Sequence, residues 1–136
     1  MAKYFTMAEM CGSATAKKNG IQNEPSESQK RNLQYLMDNV LDKVRELWKA
    51  PITVSSGFRC PELNKLVKGS PTSQHMRGEA ADISAGSPAL NRRLFDYITR
   101  NNIPYDQCID EYGYRWIHIS CKFEQIGNRH QVLHIG

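Results

Sequence analysis

The 136-residue sequence has no apolar run approaching the length needed to cross a bilayer, and no apolar leader core follows Met1-Ala2-Lys3-Tyr4-Phe5. Those absences exclude a helical membrane span and imply synthesis in a cytoplasm, so that any role outside it needs another exit route. No block of lysine and arginine is present, and the net charge of +4 is a mild excess. A nucleic-acid arm is thereby excluded, while acidic surfaces such as bacterial wall polymers stay compatible. The four cysteines, Cys11, Cys60, Cys108 and Cys121, include no Cys-x-x-Cys pair. They read as reduced thiols, which excludes a zinc knuckle and a disulfide framework. None lies beside a candidate base in sequence, which argues against a thiol nucleophile. Internal repeats and low-complexity segments are also missing.

What is present is ordinary for a soluble domain: 40% hydrophobic and 24% charged residues. The length fits one domain, residues 1–136, long enough to bury a core, and a monomer is expected. Thr6 and Glu9 form a capping box that starts a short helix ending near Cys11-Gly12. Ala14 to Gly20 suggests another helical turn, and residues 21–25 an irregular link. Ser26 or Ser28 caps the longest helix, from about Glu27 to Lys49, with Leu33, Leu36, Val40, Val44, Leu47 and Trp48 on one stripe. Ile52 to Arg59 reads as a strand running into a turn, and Pro61 to Val67 as a short helix before Gly69. Ser87-Pro88 opens another helix, whose core face is Leu90, Leu94, Phe95 and Ile98. Asp106 to Tyr112, Gly113 and Arg115 to Cys121 read as an antiparallel hairpin, with a further strand at Gln131 to Ile135. The fold class is α+β, with helices packed on a small, mostly antiparallel sheet.

The chemistry concentrates in Ser73-Gln74-His75-Met76-Arg77-Gly78-Glu79-Ala80-Ala81-Asp82. His75 and Asp82 are good zinc ligands, and their spacing suits a loop that turns at Gly78 and enters a strand. In that strand Ala80, Asp82 and Ser84 share a face, and the small Ala80 leaves room for the histidine loop to fold back. A third ligand is available in Trp116-Ile117-His118-Ile119-Ser120, where His118 alternates with two isoleucines. Each residue alone has a bland reading, as a hydrogen-bonded histidine or a turn aspartate; the three together describe a hydrolytic zinc site with one open position. Such a site needs a positive group for the developing oxyanion, for which Arg59 is suited, and a base for water.

The motifs Ser56-Gly57-Phe58-Arg59, Ser73-x-His75-x-x-Gly78-x-Ala80-x-Asp82 and Trp116-Ile117-His118 resemble the bacterial and phage zinc D-alanyl-D-alanine carboxypeptidase family. That family includes L-alanyl-D-glutamate endopeptidase endolysins, and hedgehog signalling domains share its fold. Tyr4-Phe5-Thr6 and Gly20-Ile21-x-Asn23-x-Pro25 extend the likeness towards the N-terminus. The resemblance implies zinc held by His75, Asp82 and His118, with Arg59 and Ser73 binding substrate. It also implies peptidoglycan stem peptides as substrate, cut by a carboxypeptidase or an endopeptidase, and release to the cell wall in a phage or prophage type of lysis.

The departure concerns the base. Some relatives carry Glu three residues before the last histidine, where this chain has Arg115, and others a histidine two before it, where it has Trp116. Glu111 is therefore expected to be the general base, with Asp110 in reserve on the opposite strand face. His130 and His134 are candidate outer helpers, or plain tail histidines. Two other functions stay open: a catalytically silent zinc module that recognises wall peptides or a protein, and a structural component with a vestigial site.

Overall fold

The computed structural model describes residues 2–136; Met1, the first residue of the stretch read for a leader, lies outside the described residues. Local signals start the helices. Thr6 and Glu9 close a capping box on α1 (Met7–Cys11), Ser13 caps α2 (Ala14–Lys18), and Ser26 with Gln29 closes a second box on α3 (Glu27–Leu36). The long helix is not uniform. A wide π turn over Met37–Leu41 joins α3 to α4 (Asp42–Trp48). The widened turn rotates the apolar stripe, so that Met37 and Leu41 join Leu33, Leu36, Val40 and Val44 in the core. Leu47 and Trp48, expected on that stripe, end up only partly buried.

The strands are β1 (Thr53–Ser56), β2 (Ala80–Ser84), β3 (Gln107–Glu111), β4 (Trp116–Ser120) and β5 (Gln131–Ile135). They form a sheet in the order β1-β2-β4-β3-β5. All neighbours are antiparallel except β3 and β5, which run parallel. Helix α5 (Pro61–Leu66) lies between β1 and β2 in the chain, and α6 (Pro88–Arg100) packs on β3 and β4.

Register divides the sheet into two chemically distinct faces. Ala81, Ile119 and Cys108 form one cross-strand row, and Ile83, Ile117 and Asp110 the next. Apart from Asp110 these residues join the main core with Leu94, Phe95 and Ile98 of α6. The other face carries Asp82, His118 and Ile109 in one row, with Trp116 and Glu111 paired in the next. Period-two alternation thus puts the apolar residues under the helices and the polar ones on the side that holds the site. Among the described residues no helix is long and apolar enough to cross a membrane. The four cysteines are free.

Candidate metal centre

Three chain segments converge on one point. Asp82 stands in β2 directly opposite His118 in β4, so both side chains project from the same face. His75 arrives from a 3-10 turn, Gln74–Arg77, that folds over this face. The Ser73 hydroxyl starts the turn by accepting from the His75 amide at 3.2 Å. Gly78 ends it at φ 75°, where a Cβ would lie 2.5 Å from the Gln29 carbonyl oxygen. Both the left-handed backbone and the close approach demand glycine. Helix α3 holds the turn from outside: Gln29 Nε2 donates to the Met76 carbonyl at 3.1 Å and Asn32 Nδ2 to that of Arg77 at 2.9 Å.

The donor atoms meet as a metal site requires. One ligand atom from each of His75, Asp82 and His118 lies within 4.8 Å of the others. Asp82 Oδ1 is 3.2 Å from His75 Nε2 and 3.3 Å from His118 Nδ1. His75 is 2% exposed, and its Nδ1 donates to the Gly57 carbonyl at 2.7 Å, which fixes the tautomer and turns Nε2 towards Asp82. Burial alone would raise the proton affinity of Asp82, but the adjacent His75 and His118 outweigh it and hold the carboxyl below the usual carboxylate range. Two imidazole nitrogens and an ionised carboxylate oxygen, facing a cavity, are the donor set and open side of a catalytic zinc site.

The cavity has a volume of about 830 Å³ and is walled by Arg59, Ser73, Trp116 and Glu111 as well as the three donors. Arg59 comes from the segment after β1. A bulge between Val54 and Ser56 bends that strand opposite Asp82 and sends Gly57-Phe58-Arg59 across the histidine turn. There the Arg59 amide donates to the His75 carbonyl at 3.1 Å. Arg59 Nε is buried without a hydrogen-bond partner. Burial lowers the Arg59 pKa, opposed by the fields of Asp82 and Glu111, and the group stays cationic.

Glu111 lies on the metal face, half-buried and one row from His118. Its proton affinity is raised by burial first and by the charge of Asp82 second, with His118 and His75 pulling the other way. Asp110, the reserve candidate for the base, is on the opposite face. There it is buried and hydrogen-bonded to His134, whose ring also meets Phe95 at 5.6 Å. The two tail histidines do not reach the cavity wall: His130 stacks on Tyr105, with ring centroids 4.0 Å apart.

Two supporting groups lie outside the three motifs that carry the site. Asp106 is fully buried, accepts from the Arg129 amide, Nε and Nη2 at 2.7–2.9 Å, and takes a 2.8 Å bond from Gln74 Nε2 beside His75. Asn23, in the link between α2 and α3, bonds to the backbone on both sides of Arg59. Their partners lie 23 to 37 positions away, so only the folded chain reveals them.

The geometry agrees with the comparisons to known proteins. A 37-residue stretch, 27% of the chain, is 54% identical to the zinc D-Ala-D-Ala carboxypeptidase of Streptomyces albus G; the match spans 14% of that protein. The family model for Peptidase M15 matches residues 3–120, most of the chain and all three motifs with their donors. The chain therefore belongs to the Peptidase M15 family, and the His-Asp-His cluster fits the zinc of that family.

Proposed function

We propose that this chain is a zinc-dependent peptidase that hydrolyses peptide bonds in the stem peptides of bacterial peptidoglycan, working as one domain. The observation that carries the reading is the meeting of His75, Asp82 and His118 on the floor of a cavity that Glu111 and Arg59 also line. A bound zinc supplies Lewis acidity, polarising a carbonyl and bringing the pKa of water towards neutrality. The chain's own groups do the rest. His75, held by Gly57, and His118, directly opposite Asp82, present their nitrogens to one point beside its carboxylate. Glu111 takes the proton from attacking water and returns it to the leaving amine; its raised proton affinity suits both steps. Arg59 binds the carbonyl or carboxylate oxygen, its cationic guanidinium standing in the cavity wall beside the three donors. Ser73 is assigned to substrate binding at the same wall.

The choice of substrate rests on charge. Lys68 and Lys122 join Arg59 around the cavity, with Arg129 and Arg77 paired to Asp106 and Glu79, against the two carboxylates Asp82 and Glu111. A cationic cleft favours peptides bearing free carboxylates, as stem peptides do. The deciding experiment is mass spectrometry of muropeptides after digestion of purified peptidoglycan, with and without chelator. Zinc-dependent products one residue shorter identify a carboxypeptidase, and internal cuts an endopeptidase. Binding of wall peptides without any turnover by zinc-loaded protein would overturn the proposal in favour of a silent recognition module.

A further inference from the structure

We propose that Asn23 is a positioning residue for Arg59, setting the direction of its guanidinium from the N-terminal link; this rests on the role proposed above for Arg59. Asn23 belongs to none of the elements that carry the site. Its carboxamide nevertheless grips the two peptide groups that flank Arg59. Nδ2 donates to the Phe58 carbonyl at 2.8 Å, and Oδ1 accepts from the Cys60 amide at 2.8 Å. The second hydrogen of Nδ2 goes to the Cys11 carbonyl at 3.0 Å, at the end of α1. This pattern sets the amide orientation, because a flipped group would point its oxygen at two carbonyl oxygens.

The inference turns on how little else orients the arginine. Its Nε has no partner, and its amide bond to the His75 carbonyl fixes one end of one peptide only. Side-chain direction follows from φ and ψ at residue 59, which the Phe58 and Cys60 peptide planes define. A single carboxamide holding both planes converts a loop residue into a rigid mount. The backbone bond from Phe58 N to Met10 O, 2.6 Å, braces the same segment against α1, but it lies before the arginine; after it, Cys60 caps α5 with its carbonyl accepting from the Asn64 amide at 2.9 Å, which leaves the Cys60 amide to Asn23. Removing Asn23 therefore releases the peptide plane between Arg59 and Cys60, whose N–H it alone holds, while α5 still anchors the chain beyond it.

A double-mutant cycle tests the assignment. Asn23→Ala should lower kcat/KM by roughly ten- to a hundredfold, the scale of a small misplacement of a substrate-orienting group. In an Arg59→Ala background the same change should cost no more than about twofold, because the group it positions has gone. Zinc content should stay at one per chain throughout. Asn23→Asp keeps the size and the acceptor but loses both donors, and should repeat the result; it carries the cycle if the alanine variant does not fold. A second readout needs no turnover: in metal-free protein labelled with 15N-arginine, the Arg59 Nε–H resonance, assigned by its loss in Arg59→Lys, should move or broaden in Asn23→Ala. Equal losses in both backgrounds, or an unmoved Arg59 resonance, would overturn the positioning role. A wild type without peptidase activity would defeat the functional reading alone, and the resonance would still decide the fate of Asn23.

Discussion

At the scale of single residues, the site is a set of donors whose directions are fixed by neighbours with no other task. Gly57 is the plainest case. A Cβ there would run into the Met10 carbonyl, so the segment must move, and with it the carbonyl that holds His75 Nδ1. Gly57→Ala should weaken zinc binding by roughly ten- to a hundredfold, as loss of a ligand's hydrogen-bond partner does; competition with a chromophoric chelator measures it. Glu111 makes the opposite prediction. It sits one row from the donors, so Glu111→Gln should keep zinc and fold yet lower turnover by about two powers of ten or more. Asp110→Asn should leave turnover nearly intact, since Asp110 faces the core side with His134. A silent asparagine variant beside an active glutamine variant would remove the base from Glu111. The sequence already holds much of this, because strand alternation alone puts Asp110 and Glu111 on opposite faces. It holds nothing of the Gly57 contact, which depends on two segments meeting across 47 positions.

At the scale of elements, the legible features are those with local causes. Capping boxes at Thr6 and Ser26, the proline start of α6 and the glycine turn of the β3–β4 hairpin are visible within a few residues of their effects. The π turn in the long helix is not, because a spacing of three and four residues reads the same whether or not one turn is widened. Nor is the parallel docking of β5 on β3, whose causes are distant. Gln131 N bonds to the Asp106 carbonyl at 2.8 Å, and Arg129 clasps the Asp106 carboxylate just before the strand begins. That clasp yields a pH prediction. Hydrogen bonds from Arg129, working against burial, lower the Asp106 pKa from 3.8 to about 2. A carboxyl with a depressed folded-state pKa stabilises the fold fully above its unfolded value, and the contribution is lost as pH falls from about 4 towards 2. Because the Arg129 side chain is half-exposed and screened by solvent, the lost stability is on the order of 1 kcal/mol. Asp106→Asn should therefore be destabilised at neutral pH, with a flatter decline in denaturant midpoint between pH 4 and 2 than wild type. Parallel declines would mean that other carboxylates carry the acid sensitivity.

At the scale of the whole molecule, the site is also a clasp. The donors come from the loop before β2, from β2 itself and from β4, and the loop is otherwise tied down by single bonds from α3, by Gln74 to Asp106 and by two bonds between His75 and the Gly57–Arg59 segment. An unfolded chain must close a loop of 43 positions to bring His75 and His118 to one ion, so zinc binds the folded state far more tightly and stabilises it by mass action. At free zinc a thousandfold above Kd the gain is about 4 kcal/mol. For a chain of this size that corresponds to a melting temperature higher by on the order of 10 °C. Differential scanning calorimetry with chelator, and again after zinc is restored, should show a reversible shift of that size. Asp82→Asn separates the clasp from nonspecific zinc effects. The amide nearly preserves size and register but is a far poorer zinc ligand, so this variant should melt at the same temperature with and without zinc. A zinc-dependent shift that survives in Asp82→Asn would place the stabilising ion elsewhere on the molecule. A wild-type midpoint indifferent to zinc would mean that the loop carrying His75 is held by its protein contacts alone, with the donors assembled before any ion arrives.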